Sequence, residues 1–289
     1  MPFRASGPIT TVHSNLGLLS EFRGRWVGDG FNLTARPDFD HEPPFFLELN
    51  GTVETLDFAV VAGGIPNRGS TQPDAELHGL RYLQQVTDCA LNAGIHVEPG
   101  LWVHVPSTKS PPAGESYVRH ATIPHGNALL AQSTFFTELS APPTIKPVNS
   151  TPFTGGIPDL NADPTTPVSD PAYLQQYLEG VLPKCCLPPA LKAADTIKDP
   201  TEVLRAKIMD QRITKTVVIE VSTVPAGGIV NIPFLVKNAN ATRMDAIFWV
   251  ETVEQGGCTY MQLQYVQRVI LDFIEIHWPH ISVATLVKQ

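Results

Sequence analysis

Leu77-His-Gly-Leu-Arg-Tyr-Leu-Gln-Gln-Val-Thr-Asp88 is a strand written in period two. His78, Leu80, Tyr82, Gln84, Val86 and Asp88 fall on one side, and Gly79, Arg81, Leu83, Gln85 and Thr87 on the other, because successive side chains of extended chain point to opposite faces. The alternation does not say which face is inside. Segments of the same kind surround it, separated by Gly, Pro and Asn: Arg23–Thr34, Phe45–Phe58, Gly94–Val105, Tyr117–Ile123 and Ala128–Phe136. Such a run predicts successive antiparallel strands. Thr214–Val224, Gly228–Lys237, Met244–Val253, Thr259–Phe273 and His280–Val287 continue the pattern. The expectation is an all-β antiparallel barrel of about eleven strands.

Ser140 to Asp170 is rich in Pro, Thr, Asp and Gly and cannot sustain ladders. Asp170 followed by Pro171, with a stop at Gly180, predicts a short helix, and a second is expected near Pro200–Gln211. A loop this long inside a compact domain is usually functional. Residues 140–210 are therefore expected to be a partly helical flap over one barrel mouth, within a single domain spanning 16–289 after an N-terminal tail of residues 1–15.

The chain has 289 residues, 43% of them apolar, and a formal charge of −8. That length and composition can fill one large core. The scattered Lys and Arg form no basic stripe, which argues against nucleic acid or an anionic membrane as partner. No stretch approaches the roughly 20 apolar residues of a membrane-spanning helix, so the chain as written is expected to be soluble and cytoplasmic. Secretion stays open if a leader was removed, since four sequons occur, at Asn32, Asn50, Asn149 and Asn240. Two of these fall in predicted strands. Cys89 and Cys258 stand alone and Cys185-Cys186 lacks C-x-x-C spacing, so reduced thiols are the default.

Leu18-Leu-Ser-Glu-Phe-Arg-Gly-Arg-Trp-Val-Gly-Asp-Gly-Phe31, with its G-x-W-x-G-x-G core, resembles the first strand of nitrobindin-like proteins in the calycin, or lipocalin-like, group of barrels. Ile65-Pro-Asn-Arg-Gly, His96-Val-Glu-Pro-Gly-Leu-Trp, Ala121-Thr-Ile-Pro-His-Gly, Ile247-Phe-Trp-Val-Glu-Thr-Val and Trp278-Pro-His-Ile-Ser-Val-Ala-Thr-Leu are similar to a bacterial and fungal family often labelled haem-binding. Barrels of this size are also similar to the fungal hetero-Diels–Alderases of tropolonic sesquiterpene pathways. The resemblance implies a barrel, with Trp26 packed as core at its closed end, and a hydrophobic small-molecule ligand. Fold does not fix function.

No G-x-S-x-G elbow, P-loop, Rossmann glycine pattern or H-E-x-x-H is present. What is left is chemistry by shape and a few polar groups. On Thr259–Phe273, Met261, Leu263, Tyr265, Val269, Leu271 and Phe273 share one side, and Tyr260, Gln262, Gln264, Arg268 and Asp272 the other. If the second side lines a pocket, Gln262 and Gln264 can orient a ligand; on the other reading they face water. Tyr82 and Gln84 pose the same choice. His96 and Glu98 alternate onto one face, where a carboxylate-held imidazole can serve as acid or base.

The expected catalytic set is thus His96, Tyr82, Gln84, Gln262 and Gln264. The expected substrate-binding set is Arg68, Trp102, His120, Trp249 and Tyr265. Arg68 in Asn67-Arg-Gly either clamps an oxyanion or ties its own loop. The resulting expectation is a cofactor-independent cycloaddition on a hydrophobic small molecule, with no metal. The alternatives are a haem protein using His280 as axial ligand, with His120 and His125 as other candidates, or a carrier of terpenoid or lipid. The oligomeric state is open, a homodimer included.

Overall fold

The computed structural model describes residues 13–289, so most of the expected tail lies outside the described residues. His13 to Asn15 belong to the folded part: the Asn15 carbonyl accepts from the His104 ring at 2.8 Å, and its amide meets His78 at 3.1 Å.

Fourteen strands follow in order among these residues: β1 Gly24–Pro37, β2 Phe45–Val60, β3 Ile65–Asn67, β4 Ala75–Asp88, β5 Ala93–Val105, β6 Thr108–Lys109, β7 Pro112–Ala113, β8 Ser116–Ile123, β9 Asn127–Leu139, β10 Arg212–Ser222, β11 Gly228–Asn231, β12 Asn240–Gln255, β13 Cys258–Phe273 and β14 Ile276–Lys288. Ten of them close a ring in the order β10-β12-β13-β14-β1-β2-β4-β5-β8-β9, with β9 pairing back onto β10. The fold is a closed antiparallel barrel, as expected. β11 adds to β9, β3 to β4, and β6 with β7 forms a separate ribbon. The expected strand Gly228–Lys237 stops at Asn231, because Pro233 opens a helical turn, α4 Pro233–Asn238, and its ring fixes φ for a helix while removing a ladder donor.

One apolar cluster draws Trp26, Leu56, Leu80, Trp102, Tyr117, Leu129, Val217, Phe248, Leu263 and Leu286 from all ten barrel strands, and this identifies the interior face. Trp26 is fully buried and its indole N–H donates to the Phe22 carbonyl at 2.7 Å. Leu16, Leu19 and Phe22, on and beside the 3-10 turn Gly17–Phe22, plug the same end. Gly28 and Gly30 of the G-x-W-x-G-x-G core also face inward, and a Cβ on either would press into β14 at the carbonyl oxygens of Thr285 and Val283. The motif thus permits β1 and β14 to cross closely.

The segment after β9 carries helices α1 Pro171–Glu179, α2 Ala193–Lys198 and α3 Glu202–Ile208. Asp170 caps α1 by accepting from the Ala172 N–H at 2.9 Å. Instead of lidding a mouth, this segment lies along the outside of the barrel wall. Ile145, Val148, Leu160, Tyr177, Ile197, Val203 and Leu204 pack on outward residues Phe31, Leu33, Val218, Ile247, Trp249, Val266, Ile281 and Val283. The outward row of these strands is apolar, and burial of that row is what fixes the segment there. Arg268 pins it further, donating to the Pro158 carbonyl at 2.7 Å and to Asp245 at 2.8 Å.

Cys89 and Cys185 form a disulfide, with Cα atoms 6.2 Å apart, between the end of β4 and this outer segment. Reduced thiols were the sequence expectation for both. Their 96-residue separation hid a contact made only by docking of the segment. No helix among the described residues is long and apolar enough to cross a membrane.

Candidate functional site

Along each barrel strand the inward side chains change from apolar to polar at mid-height. β2 runs Phe58, Leu56, Glu54, Thr52, Asn50; β4 runs Leu80, Tyr82, Gln84; β5 runs Trp102, then Glu98 and His96; β14 runs Leu286, Ala284, Ser282, His280. Closing the ring stacks these polar positions into one half of the interior.

Two buried carboxylates organise that half. Glu98 accepts from the Tyr82 hydroxyl and from Arg119 Nη2 at 2.5 Å, while its other oxygen meets His96 Nε2 at 3.4 Å. Burial alone would raise its pKa, but the Arg119 guanidinium, His96 and Tyr82 together hold it down to about 2. Arg119 is itself fully enclosed, donating also to the Tyr82 oxygen at 3.0 Å and to Gln267 at 2.6 Å. Its guanidinium lies 5.3 Å from the centroid of the Phe248 ring, a cation–π arrangement that substitutes for part of its lost hydration.

Glu54 takes hydrogen bonds from the Tyr265 hydroxyl at 2.6 Å, Thr52 at 2.9 Å and Gln84 at 3.3 Å, and Gln84 also donates to Tyr265 at 2.9 Å. No cation pairs with it in these contacts, and burial raises its pKa against those donors. Two carboxylates in one half-barrel are thus driven in opposite directions, a pattern that separates an acid from a base.

The outer rim of this half holds His96, His125 and His280. His96 and His125 have ring centroids 6.4 Å apart, and the His96 side chain is 23% exposed. His280 Nε2 is 2.7 Å from Asn32 Oδ1, which also accepts from Ser282 at 2.9 Å. Burial, then the positive charge of neighbouring His96 and His125, pushes His280 down to about 4, so its imidazole is neutral near pH 7. Asn32 donates to Asn50 at 3.2 Å, and Asn50 to Asp88 at 2.8 Å. Both sequon asparagines are therefore buried interior side chains rather than surface acceptors of glycan.

Of the expected site residues, the barrel brings together His96, Tyr82, Gln84, Tyr265 and Trp102. The last packs against Phe22 and Phe248 on the apolar side. Five others lie elsewhere. Gln262 and Gln264 point out of the barrel, because the apolar row Leu263 and Tyr265 is the inward one. Gln262 donates to Glu251 at 2.7 Å, and Gln264 donates to the Leu204 carbonyl at 3.2 Å and the Thr285 hydroxyl at 2.7 Å. They face neither pocket nor water; the outer segment buries them. Trp249 is also outward, lining a cavity of about 150 Å³ beneath that segment with Phe135, Lys146 and Glu220. A larger groove of about 560 Å³ lies outside too, between Leu47, Leu49 and α1. His120 is exposed on the outer face, between inward Arg119 and Ala121. Arg68 is exposed and pairs with Asp74 at 2.5 Å, tying its own loop.

Glu54 and Arg119 were missed. Their signal was parity: Glu54 shares its face with Leu56 and Phe58, and Arg119 shares its face with Tyr117 and Ala121.

No protein-family model matches this chain, and no curated protein does. Among solved structures, Rv2717c from M. tuberculosis is similar over 99% of each chain, at 14% sequence identity and a TM-score of 0.46.

Proposed function

We propose that this chain is a small-molecule enzyme whose polar half-barrel receives a hydrophobic substrate bearing a carbonyl or phenolic oxygen and promotes a cofactor-independent cycloaddition of the hetero-Diels–Alder type. The observation that carries the reading is the pair Glu54 and Glu98, enclosed together and driven toward opposite protonation states. The Tyr265 hydroxyl, which donates to Glu54 in the free protein, turns to a carbonyl that gains negative charge as the bonds form, and the Glu54 carboxyl, which burial favours in its neutral form, is the second donor assigned to that oxygen. His96, held by ionised Glu98, exchanges a proton with a phenolic oxygen at the accessible rim. Two bonds form, the π electrons redistribute and no atom leaves, so orientation is the main demand. Proximity can supply roughly 7–11 kcal/mol of such a barrier.

A haem on His280 is the competing reading, and the residues present fit it poorly. The Nε2 of that imidazole is engaged by Asn32, and its neighbours Asn32, Asn50 and Ser282 are polar where a flat macrocycle needs apolar faces.

The test follows product formation by chromatography from a tropolone-type precursor and a sesquiterpene alkene, against a no-enzyme control. Glu54→Leu and Tyr265→Phe should stay folded and slow the reaction, by about 10²–10³-fold if each removes a donor aimed at developing charge. Equal rates and product ratios with and without protein would leave a carrier. A Soret band on stoichiometric loading with haem would replace the enzyme reading with the haem one.

A further inference from the structure

Three cysteines meet on the outside of the barrel, away from the polar half-interior. The sulfurs of Cys89, Cys185 and Cys186 all lie within 4.8 Å of one another. Cys89 follows β4 in a turn held by the Asp88 carboxylate, which accepts from the Ala90 and Leu91 N–H groups at 2.8 and 2.7 Å. Its own N–H donates to the Gly51 carbonyl at 2.9 Å. Gly51 is the floor of the cluster, since a Cβ there would strike the Cys185 carbonyl and the Cys89 sulfur. Cys185 and Cys186 arrive together on the outer segment, and Cys186, with φ +70°, turns its thiol toward the bonded pair.

A disulfide alone needs two of these residues. The third sulfur is redundant for a tether, yet it completes a three-sulfur set of the kind that soft cations take up. We propose that, when the Cys89–Cys185 bond is reduced, the three thiolates form a binding site for one thiophilic d10 cation: Cu(I) in three-coordination, or Zn(II) with solvent as fourth ligand.

Reduction by a dithiol transfers two electrons and two protons to the pair and oxidises the dithiol to its own disulfide. Binding then expels one proton from each of the three thiols. The local charges favour a cation over a bare thiolate. The acidic side chains Asp29 and Asp88 lie near the Cys186 sulfur, and the nearby Lys207 is already paired with Asp29 at 2.7 Å. Metal and disulfide are therefore mutually exclusive occupants of one site, and either one clamps the outer segment to the end of β4.

The experiment titrates the full chain, reduced with a dithiol and then freed of it, with Zn(II) or anaerobic Cu(I) against a chromophoric chelator, and counts bound metal by native mass spectrometry. One equivalent per chain is expected, with a raised melting temperature and, on Cd(II) substitution, ultraviolet thiolate-to-metal absorption. Cys186→Ser keeps the disulfide and the fold. It should weaken metal binding by more than the roughly 10–100-fold that loss of an outer-shell partner costs, whereas Cys258→Ser should change nothing. Equal affinity in Cys186→Ser overturns the proposal. So does failure of either metal to bind, or, if the reduced chain unfolds, failure of both metals to restore its melting transition. Whichever metal forms the one-to-one complex at the lower free concentration identifies the ion.

Discussion

The two halves of the barrel interior are built from the same ten strands and differ in what holds them. The plugged half around Trp26, Phe22, Trp102 and Leu263 is held by non-directional burial, which tolerates changes of pH. The other half, around Glu54, Glu98, Arg119 and the three histidines, is held by hydrogen bonds and one enclosed ion pair, each of which depends on geometry and protonation. The difference is one of physical kind: the apolar half contributes burial, and the polar half holds charged and hydrogen-bonding groups in fixed directions inside the barrel.

The largest effect should come from Trp26→Ala. Truncating this aromatic is expected to cost about 3–5 kcal/mol, read by urea denaturation, with no change in the pH dependence of stability. A loss under 1 kcal/mol would show that the plug is not what stabilises the barrel. Arg119→Met should cost a comparable amount, about 3–5 kcal/mol, because it strands the Glu98 charge in the interior. Here the double variant Arg119→Met/Glu98→Gln separates the halves: it should recover much of the loss, as no second change at Trp26 can.

The same pair sets the acid limb of stability. The depressed pKa of Glu98 contributes stability that is complete above its ordinary value near 4.5 and lost as pH falls toward about 2. That limb should be shallower in the double variant, and an unchanged limb would remove Glu98 as its source.

Glu251 gives the opposite sign on the outer wall. Burial raises it to about 8 against the Gln262 hydrogen bond, and its Oε1 has no hydrogen-bond partner. Its contribution is complete below about pH 4.5 and lost as pH rises through about 8, so the wild type should lose on the order of a few kcal/mol across that window. Glu251→Gln should flatten the alkaline limb in melting curves. The smallest effect is expected from Gln264→Leu, about 0.5–1.5 kcal/mol of stability, with rate and product ratio unchanged in the cycloaddition assay. A slowed reaction with intact stability would mean that the outward face, and not the polar half-interior, meets the substrate.

β4 and β12 show how far the sequence could be read. On β4, Arg81, Leu83 and Gln85 are exposed while Leu80, Tyr82, Gln84 and Val86 are buried, so alternation put Tyr82 and Gln84 on one face and closure of the barrel made that face the inner one. On β12, Met244 to Glu251 are buried without a break. The barrel covers one face and the outer segment the other, so neither parity nor polarity identified which side of Trp249 or Glu251 was inside.

The sequence by itself determined the ten barrel strands, their antiparallel succession and the α1 cap at Asp170, because period-two alternation, turn residues and capping act over a few neighbours. Only the tertiary structure decided that Gln262 and Gln264 lie under the outer segment, that Glu54 meets Tyr265 across 211 residues, and that Cys89 meets Cys185. The reason is geometric. Alternation defines two faces of a strand but carries no sign, and the sign is set when ten strands close and a distant segment buries the apolar row left outside.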